Sequence, residues 1–292
     1  MQKHTVAVLG GDKRMDFAAR ELTRLGYDVR EWGRREGDSA AGFARVADEW
    51  LSDVDVLMLP LPTSTDGTHL STPLLEGGGG LRMEMLFSAA PDKLWLVGRL
   101  GETLQGRAKK ENIRYIDYFE SEILQLKNAL PTAEGAIEIA MRELPVVLDG
   151  TKVAVIGYGR IGEVLSAKLG ALGAKVTVYA RRPSVCTRVE LAGHSSKQIF
   201  EGKDPLFDAD TRAIFNTVPS RLLGRSTLQT LSPNCLLIDL ASAPGGIDMR
   251  VAEELGLCAI WATALPGKCA PESAGVILGD VAHSILTDAT AF

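Results

Sequence analysis

Short apolar runs recur along the chain, and between them apolar positions fall at helical rather than alternating spacing. Val6-Ala7-Val8-Leu9, Val54 to Leu59, Leu94 to Val97 and Ile113 to Tyr118 each predict a buried strand, as does Tyr27 to Trp32. The same signal returns at Lys152 to Ile156, Lys175 to Tyr179, Ala213 to Phe215, Cys235 to Leu240 and Leu257 to Trp261. Helical periodicity covers Asp12 to Leu25, with Gly26 as C-cap, then Glu120 to Ala129, Pro131 to about Glu143 and Ile161 to Leu172. A final helix is expected from Glu272 to Leu286, with Ile277, Val281 and Ile285 as its burial face. The residues after Trp32, as far as Val46, read as a polar stretch. Glu76 to Leu81, with four glycines but no following lysine and hydroxyl, reads as a mobile surface loop and not a phosphate loop.

Strands that alternate with helices predict parallel sheets covered on both faces, with ligands beyond the carboxyl ends of the strands. A length of 292 residues suits two domains. The fold class expected is α/β with two Rossmann-like domains. One is an N-terminal flavodoxin-like substrate domain over 1–130, completed by 271–292 as the last helix crosses back. The other is a nucleotide domain over 131–270, entered through a linker helix at 131–144.

The densest chemical signal is Lys152-Val153-Ala154-Val155-Ile156-Gly157-Tyr158-Gly159-Arg160-Ile161-Gly162. Strand, glycine turn and helix follow in the order in which Gly-x-Gly-x-x-Gly binds a dinucleotide. Gly157 permits the tight turn, Gly159 lets a pyrophosphate approach the backbone, and Gly162 lets helix and strand pack closely. Unpaired N–H groups at the helix start then face the phosphates, next to Tyr158, Arg160 and Ile161. The following strand ends in Ala180-Arg181-Arg182-Pro183-Ser184, where an NAD-preferring domain places a carboxylate. Two guanidiniums and the Ser184 hydroxyl suit a 2′-phosphate, so NADP(H) is favoured, with NAD as the alternative. Asn216, Thr217, Val218 and Pro219, with Leu240 and Ala241, are expected to complete the cofactor site from the ends of later strands.

A net charge of −5 argues against a nucleic-acid partner. No apolar run approaches the roughly 20 residues that span a bilayer, and the N-terminus carries no signal-peptide pattern, so a cytoplasmic protein is expected. Four cysteines without metal-ligand or Cys-x-x-Cys spacing fit a reducing compartment and no metal site.

Substrate contacts are expected opposite the nicotinamide. Gly11, Asp12 and Arg14 at the first helix start, together with Ser64 and Thr65, suit a ligand rich in carboxylates; Ser242 and Gly267 approach from the nucleotide domain. The proton acceptor is not fixed by any pattern. His69 and Glu134 are the candidates, Glu134 also reading as a helix-cap partner of Thr132.

Several of these segments, in this order, resemble the family of dipicolinate synthase A subunits. The resemblance runs through Gly10-Gly11-Asp12-x-Arg14, Leu59-Pro60, Pro131-Thr132-Ala133-Glu134-Gly135 and the glycine motif. It continues through Ala180-Arg181, Asn216-Thr217-Val218-Pro219, Asp239-Leu240-Ala241-Ser242-x-Pro244-Gly245-Gly246 and Leu265-Pro266-Gly267-x-x-Ala270-Pro271-x-x-Ala274-Gly275. It implies nicotinamide-dependent oxidation of dihydrodipicolinate to dipicolinate in the mother cell of a sporulating bacterium. It also implies a partner, the flavoprotein-like B subunit, and a homo-oligomer such as a dimer. Aromatisation of the product ring would supply driving force, leaving the protein mainly to anchor carboxylates and align the ring. The chain departs from the family pattern at Pro62, Arg99, Lys268 and Glu272, and Arg99 adds a charge beside the expected carboxylate pocket. The other readings are a dehydrogenase of another small carboxylate and a non-catalytic NADP(H)-binding subunit.

Overall fold

The valine-rich runs pair as two all-parallel sheets, of five and six strands. The computed structural model describes residues 4–34, 37–75, 80–200 and 203–288. The chain divides into two units: residues up to Lys127 with those from Pro271 onward, and Asn128–Ala270. The expected glycine-rich loop lies for the most part, at 76–79, outside the described residues.

In the first unit β1 (Thr5–Leu9), α1 (Lys13–Arg24), β2 (Asp28–Trp32), α2 (Ala40–Leu51) and β3 (Val56–Met58) come in order. They are followed by α3 (Met83–Ala89), β4 (Leu94–Val97), α4 (Glu102–Lys110) and β5 (Arg114–Asp117). The strand order β2-β1-β3-β4-β5 is the flavodoxin-like doubly wound order. One face of the sheet packs on Phe43, Leu51, Leu86 and Leu104 from α2, α3 and α4. Phe43, Ala47 and Leu51 recur every fourth residue and are buried, so the stretch after Trp32 that reads as merely polar ends in an amphipathic helix.

The opposite face is covered by α1 and by α11 (Pro271–Thr287), through Met15, Ala18, Leu22, Leu278, Val281 and Leu286. Burying Leu278, Val281 and Leu286 is worth about 1.5–3 kcal/mol each. Two glycines bring the helix backbones together. A Cβ on Gly275 would overlap the Arg14 carbonyl oxygen, and one on Gly279 would lie 2.7 Å from Glu21 Cβ. The burial face is therefore Ala274, Gly275, Leu278, Gly279, Val281, Ala282 and Leu286; Ile277 and Ile285 are only partly buried at its margin.

The second unit contains β6 (Lys152–Ile156), α6 (Arg160–Ala171), β7 (Lys175–Ala180), α7 (Pro183–Leu191), β8 (Ser195–Gln198) and β9 (Ala213–Asn216). Then come α8 (Arg225–Leu228), β10 (Leu236–Asp239), α9 (Met249–Glu254), β11 (Ala259–Trp261) and α10 (Leu265–Cys269). The order β11-β10-β9-β6-β7-β8 is that of the Rossmann fold, and the strand order reverses between β6 and β9. The strand β8, reading Ser-Ser-Lys-Gln, carries no apolar signal because it is an exposed edge.

The two helices expected on either side of Leu130 are one, α5 (Glu122–Glu143), with Pro131 inside it. An interior proline costs about 3 kcal/mol through its missing N–H and its ring clash. Leu124 and Ala129 before it, and Ala133, Ala136, Ile137 and Ala140 after it, are all buried and offset that cost. The Thr132 hydroxyl donates to the Asn128 carbonyl at 2.7 Å. Glu134 thus sits mid-helix, and no helix starts there for it to cap. Among the described residues no helix is long and apolar enough to cross a membrane.

Candidate functional site

At the carboxyl end of β6 the chain turns through Gly157 at φ 93° into α6, with Gly159 as N-cap. A Cβ on Gly157 would lie 2.5 Å from Thr217 Oγ1 and 2.8 Å from Val218 Cγ2, and one on Gly162 would overlap the Gly157 carbonyl oxygen. Gly159, by contrast, faces open space. The turn is thus jammed on its protein side and unobstructed above Gly159, as a pyrophosphate-binding turn requires. Tyr158 and Ile161 are partly buried against the core beside it, and Arg160 opens α6.

The β7 end carries no carboxylate. Ala180 is buried, whereas Arg181, Arg182 and Ser184 are exposed. Among the described residues no ion pair takes up the guanidinium of Arg181 or Arg182, although the Arg181 carbonyl accepts from Gln198 Nε2 at 3.1 Å. Pro183 starts α7 with Arg182 as its cap.

Behind the turn lies a polar hub built on Asp239 and Asn216. Asp239 is 1% exposed and ends β10. Its Oδ1 accepts from Asn216 Nδ2 at 2.8 Å and Ala241 N at 3.0 Å; its Oδ2 accepts from Gly246 N at 2.7 Å and Ile247 N at 3.0 Å. Asn216, expected among the cofactor contacts, is wholly buried, and its amide also donates to the Val218 carbonyl at 3.0 Å. Its side chain shapes the loop through these bonds. Leu240 and Ala241 are likewise buried. Thr217 is partly exposed, with its hydroxyl donating to the Ile156 carbonyl at 2.8 Å, and Pro219 and Ser242 are exposed. Gly267 lies inside the short α10, where its N–H donates to the Ala264 carbonyl at 3.2 Å.

Glu134 is paired with Lys168 Nζ of α6 at 2.8 Å. Cys235 and Cys269 are not prepared as nucleophiles by their surroundings: burial pushes Cys235 up to about 12 and raises Cys269 as well.

The first unit repeats the strand–glycine–helix turn in a closed form. Gly10 N donates to the Trp32 carbonyl at 2.8 Å and Gly11 N to the Ser71 carbonyl at 2.7 Å. A Cβ on Gly11 would lie 2.9 Å from Pro60 Cβ. The Asp12 carboxylate caps α1 through Arg14 N at 3.0 Å and holds the Arg14 guanidinium in a fork, with Nη2 to Oδ2 at 2.8 Å. The same Nη2 also donates to the Leu61 carbonyl at 2.7 Å. Gly11, Asp12 and Arg14, the expected substrate contacts, are thus engaged within the protein, with the Asp12 carboxylate at the helix start.

Ser64 is similarly engaged. Its Oγ accepts from Gly67 N at 3.0 Å and donates to Asp66 Oδ1 at 3.2 Å, a turn cap rather than an open contact. Thr65 is exposed. The stronger element of this loop is unforeseen: Asp66 Oδ2 lies 2.8 Å from His69 Nδ1, while its Oδ1 accepts from Thr68 N and His69 N, both at 2.8 Å. These bonds hold the Asp66 carboxyl well below the usual carboxylate range. An ionised Asp66 favours the tautomer with its proton on Nδ1, which makes Nε2 the basic nitrogen of His69.

Two further residues build this rim. Arg34, with its side chain 2% exposed, pairs with Asp16 and Glu31 at 2.7 Å each and donates to the Gly10 carbonyl at 2.8 Å. Buried Thr63 joins β3 to β4: its N–H and hydroxyl both donate to the Gly98 carbonyl, and its Oγ1 accepts from Gly98 N at 3.0 Å.

Known proteins match this chain from end to end. A family model for the N-terminal domain of the dipicolinate synthase A subunit matches residues 5–119. The corresponding dipicolinate synthase chain of Bacillus subtilis is 30% identical over 286 residues, 97% of this chain and 96% of that protein. The crystal structure of its Bacillus halodurans counterpart superposes with a TM-score of 0.85 at 29% identity, covering 98% of both chains. A transhydrogenase structure from Sinorhizobium meliloti shares the fold, with a TM-score of 0.65 at 15% identity over 97% of this chain and 92% of that one.

Proposed function

Because the chain belongs to the family of dipicolinate synthase A subunits, we propose that it oxidises dihydrodipicolinate to dipicolinate with NADP⁺, beside a B subunit, during spore formation. The observation that carries the cofactor half is the open turn at Gly159 followed by the unpaired guanidiniums of Arg181 and Arg182. Gly157 to Gly162 would hold the pyrophosphate, and Arg181, Arg182 and Ser184 the 2′-phosphate. When bound, the nicotinamide supplies the hydride acceptor.

Loss of hydride from one ring carbon leaves a cationic ring that becomes aromatic on losing a proton. His69 is the acceptor we assign, through Nε2, with Asp66 holding the ring by Nδ1. His69→Gln is expected to lower kcat about 100-fold while NADP⁺ affinity stays within twofold. An unchanged kcat in a stopped-flow assay would leave aromatisation needing no protein base.

Cofactor choice is tested with Arg181→Asp. Fluorescence titration should show NADPH affinity falling at least tenfold and NADH affinity little altered, since a carboxylate repels the 2′-phosphate and suits the ribose hydroxyls. Equal losses for both would sink the 2′-phosphate assignment. The reaction is followed with purified protein, with and without the B subunit, given freshly generated dihydrodipicolinate and NADP⁺. Pyridine absorbance and NADPH should rise together; pyridine without NADPH would instead indicate a regulatory nucleotide-binding role.

A further inference from the structure

With Asp12 occupying the α1 terminus, a substrate bearing two carboxylates needs a cation elsewhere on the carboxyl rim of the first unit's sheet. Arg99, at the end of β4, stands out because its backbone is left-handed, at φ 55°. That conformation is strained for a side chain with a Cβ, and a non-glycine residue keeps it only where its surroundings insist.

The surroundings are built for this. Asp117, at the end of β5, accepts from Arg99 N at 2.8 Å and from Leu100 N at 2.9 Å, one carboxylate oxygen to each. Gly98 before it is clamped by Thr63, and a Cβ there would lie 2.5 Å from Tyr118 Oη and 2.7 Å from the Pro60 carbonyl oxygen. The side chain remains exposed, with its guanidinium 5.7 Å from the Phe119 ring centroid and no carboxylate partner among the described residues. Arg14 and Arg34, on the same rim, are both consumed by internal carboxylates.

We propose that Arg99 is a substrate-carboxylate anchor, with Phe119 as the apolar wall on which its guanidinium and a flat ring acid rest. A guanidinium fork matches one carboxylate bidentately, and a position that could relax as glycine bears arginine at a conformational cost. This rests on the reading that the ligand is a pyridine-type dicarboxylate.

The experiment compares dipicolinate with picolinate, its monocarboxylate counterpart, by calorimetry on the full chain with NADP⁺ present. Wild type should bind dipicolinate at least tenfold more tightly. Arg99→Gly should erase that preference and raise the KM of the reaction at least tenfold. Its Tm should equal or exceed that of wild type, because glycine relieves the left-handed strain. Arg99→Lys, which keeps the charge without the fork, should recover part of the selectivity. An Arg99→Gly protein with unchanged dipicolinate affinity overturns the proposal, as does a wild type without preference between the two acids. A merely structural arginine would instead lower Tm and leave selectivity intact. Should wild type bind dipicolinate through Arg99 yet form no NADPH, the assigned reaction fails and the anchor stands.

Discussion

Gly162→Ala is expected to remove detectable NADP(H) binding and to lower stability by about 3 kcal/mol, the upper part of the usual range for forcing atoms into a packed site. The added methyl would overlap the carbonyl oxygen of Gly157 and come within 2.9 Å of its carbonyl carbon, so the obstacle is backbone and has no rotamer to change. Gly157 cannot retreat, because Thr217 Oγ1 and Val218 Cγ2 already crowd its other side. Helix α6 must therefore lift from β6, and the N–H groups proposed to hold the pyrophosphate lift with it. Urea denaturation and NADPH fluorescence titration measure the two losses separately. Gly159→Ala is the control: its Cβ meets nothing within 4 Å, so the denaturation midpoint should hold while affinity alone falls. If Gly162→Ala bound NADPH normally, the close packing of the turn would not be what forms the phosphate site.

Asp239→Ala is expected to be the most damaging single change outside the glycine turn, at about 4 kcal/mol. Four N–H donors converge on this carboxylate, and a buried donor left unpaired costs about 1–3 kcal/mol; partial hydration of the new space recovers some of the total. Asp239→Asn keeps the volume but turns an amide NH₂ toward N–H groups, so roughly half of that loss should remain. The shift in urea midpoint at constant slope checks both. A midpoint like that of wild type in the alanine variant would mean that the loop from Ala241 to Ile247 holds its shape without the aspartate.

Strand runs such as Val153 to Ile156 and Leu94 to Val97 are legible in the sequence because burial on both faces leaves one unambiguous apolar signature. The glycine turn is legible for a related reason: backbone crowding excludes every other residue, so the requirement is written in residue identity. The anchors of the first unit are not. Gly10-Gly11-Asp12-x-Arg14 looks like an anion site until the Asp12 carboxylate is seen to occupy it, and nothing in residue type says which way that side chain turns. Asp239, Thr63 and Arg34 escape notice because polar residues at strand ends look alike whether they face a ligand or brace a loop. The exposed edge β8 and the α2 helix lack a long apolar run, and Pro131 misleads because its helix is held by packing on both sides rather than by local preference.

The Gly275 and Gly279 contacts with α1 join chain segments that lie on either side of the whole second unit. Every residue of the second unit has been made before α11 begins, so α1 waits through the synthesis of that unit for the helix that covers Ala18 and Leu22. The nucleotide-binding half can therefore mature on the nascent chain first. A ribosome stalled after Ala270 would display a folded second unit beside an N-terminal unit whose α1 lacks its covering helix, and that intermediate is the one a chaperone would meet.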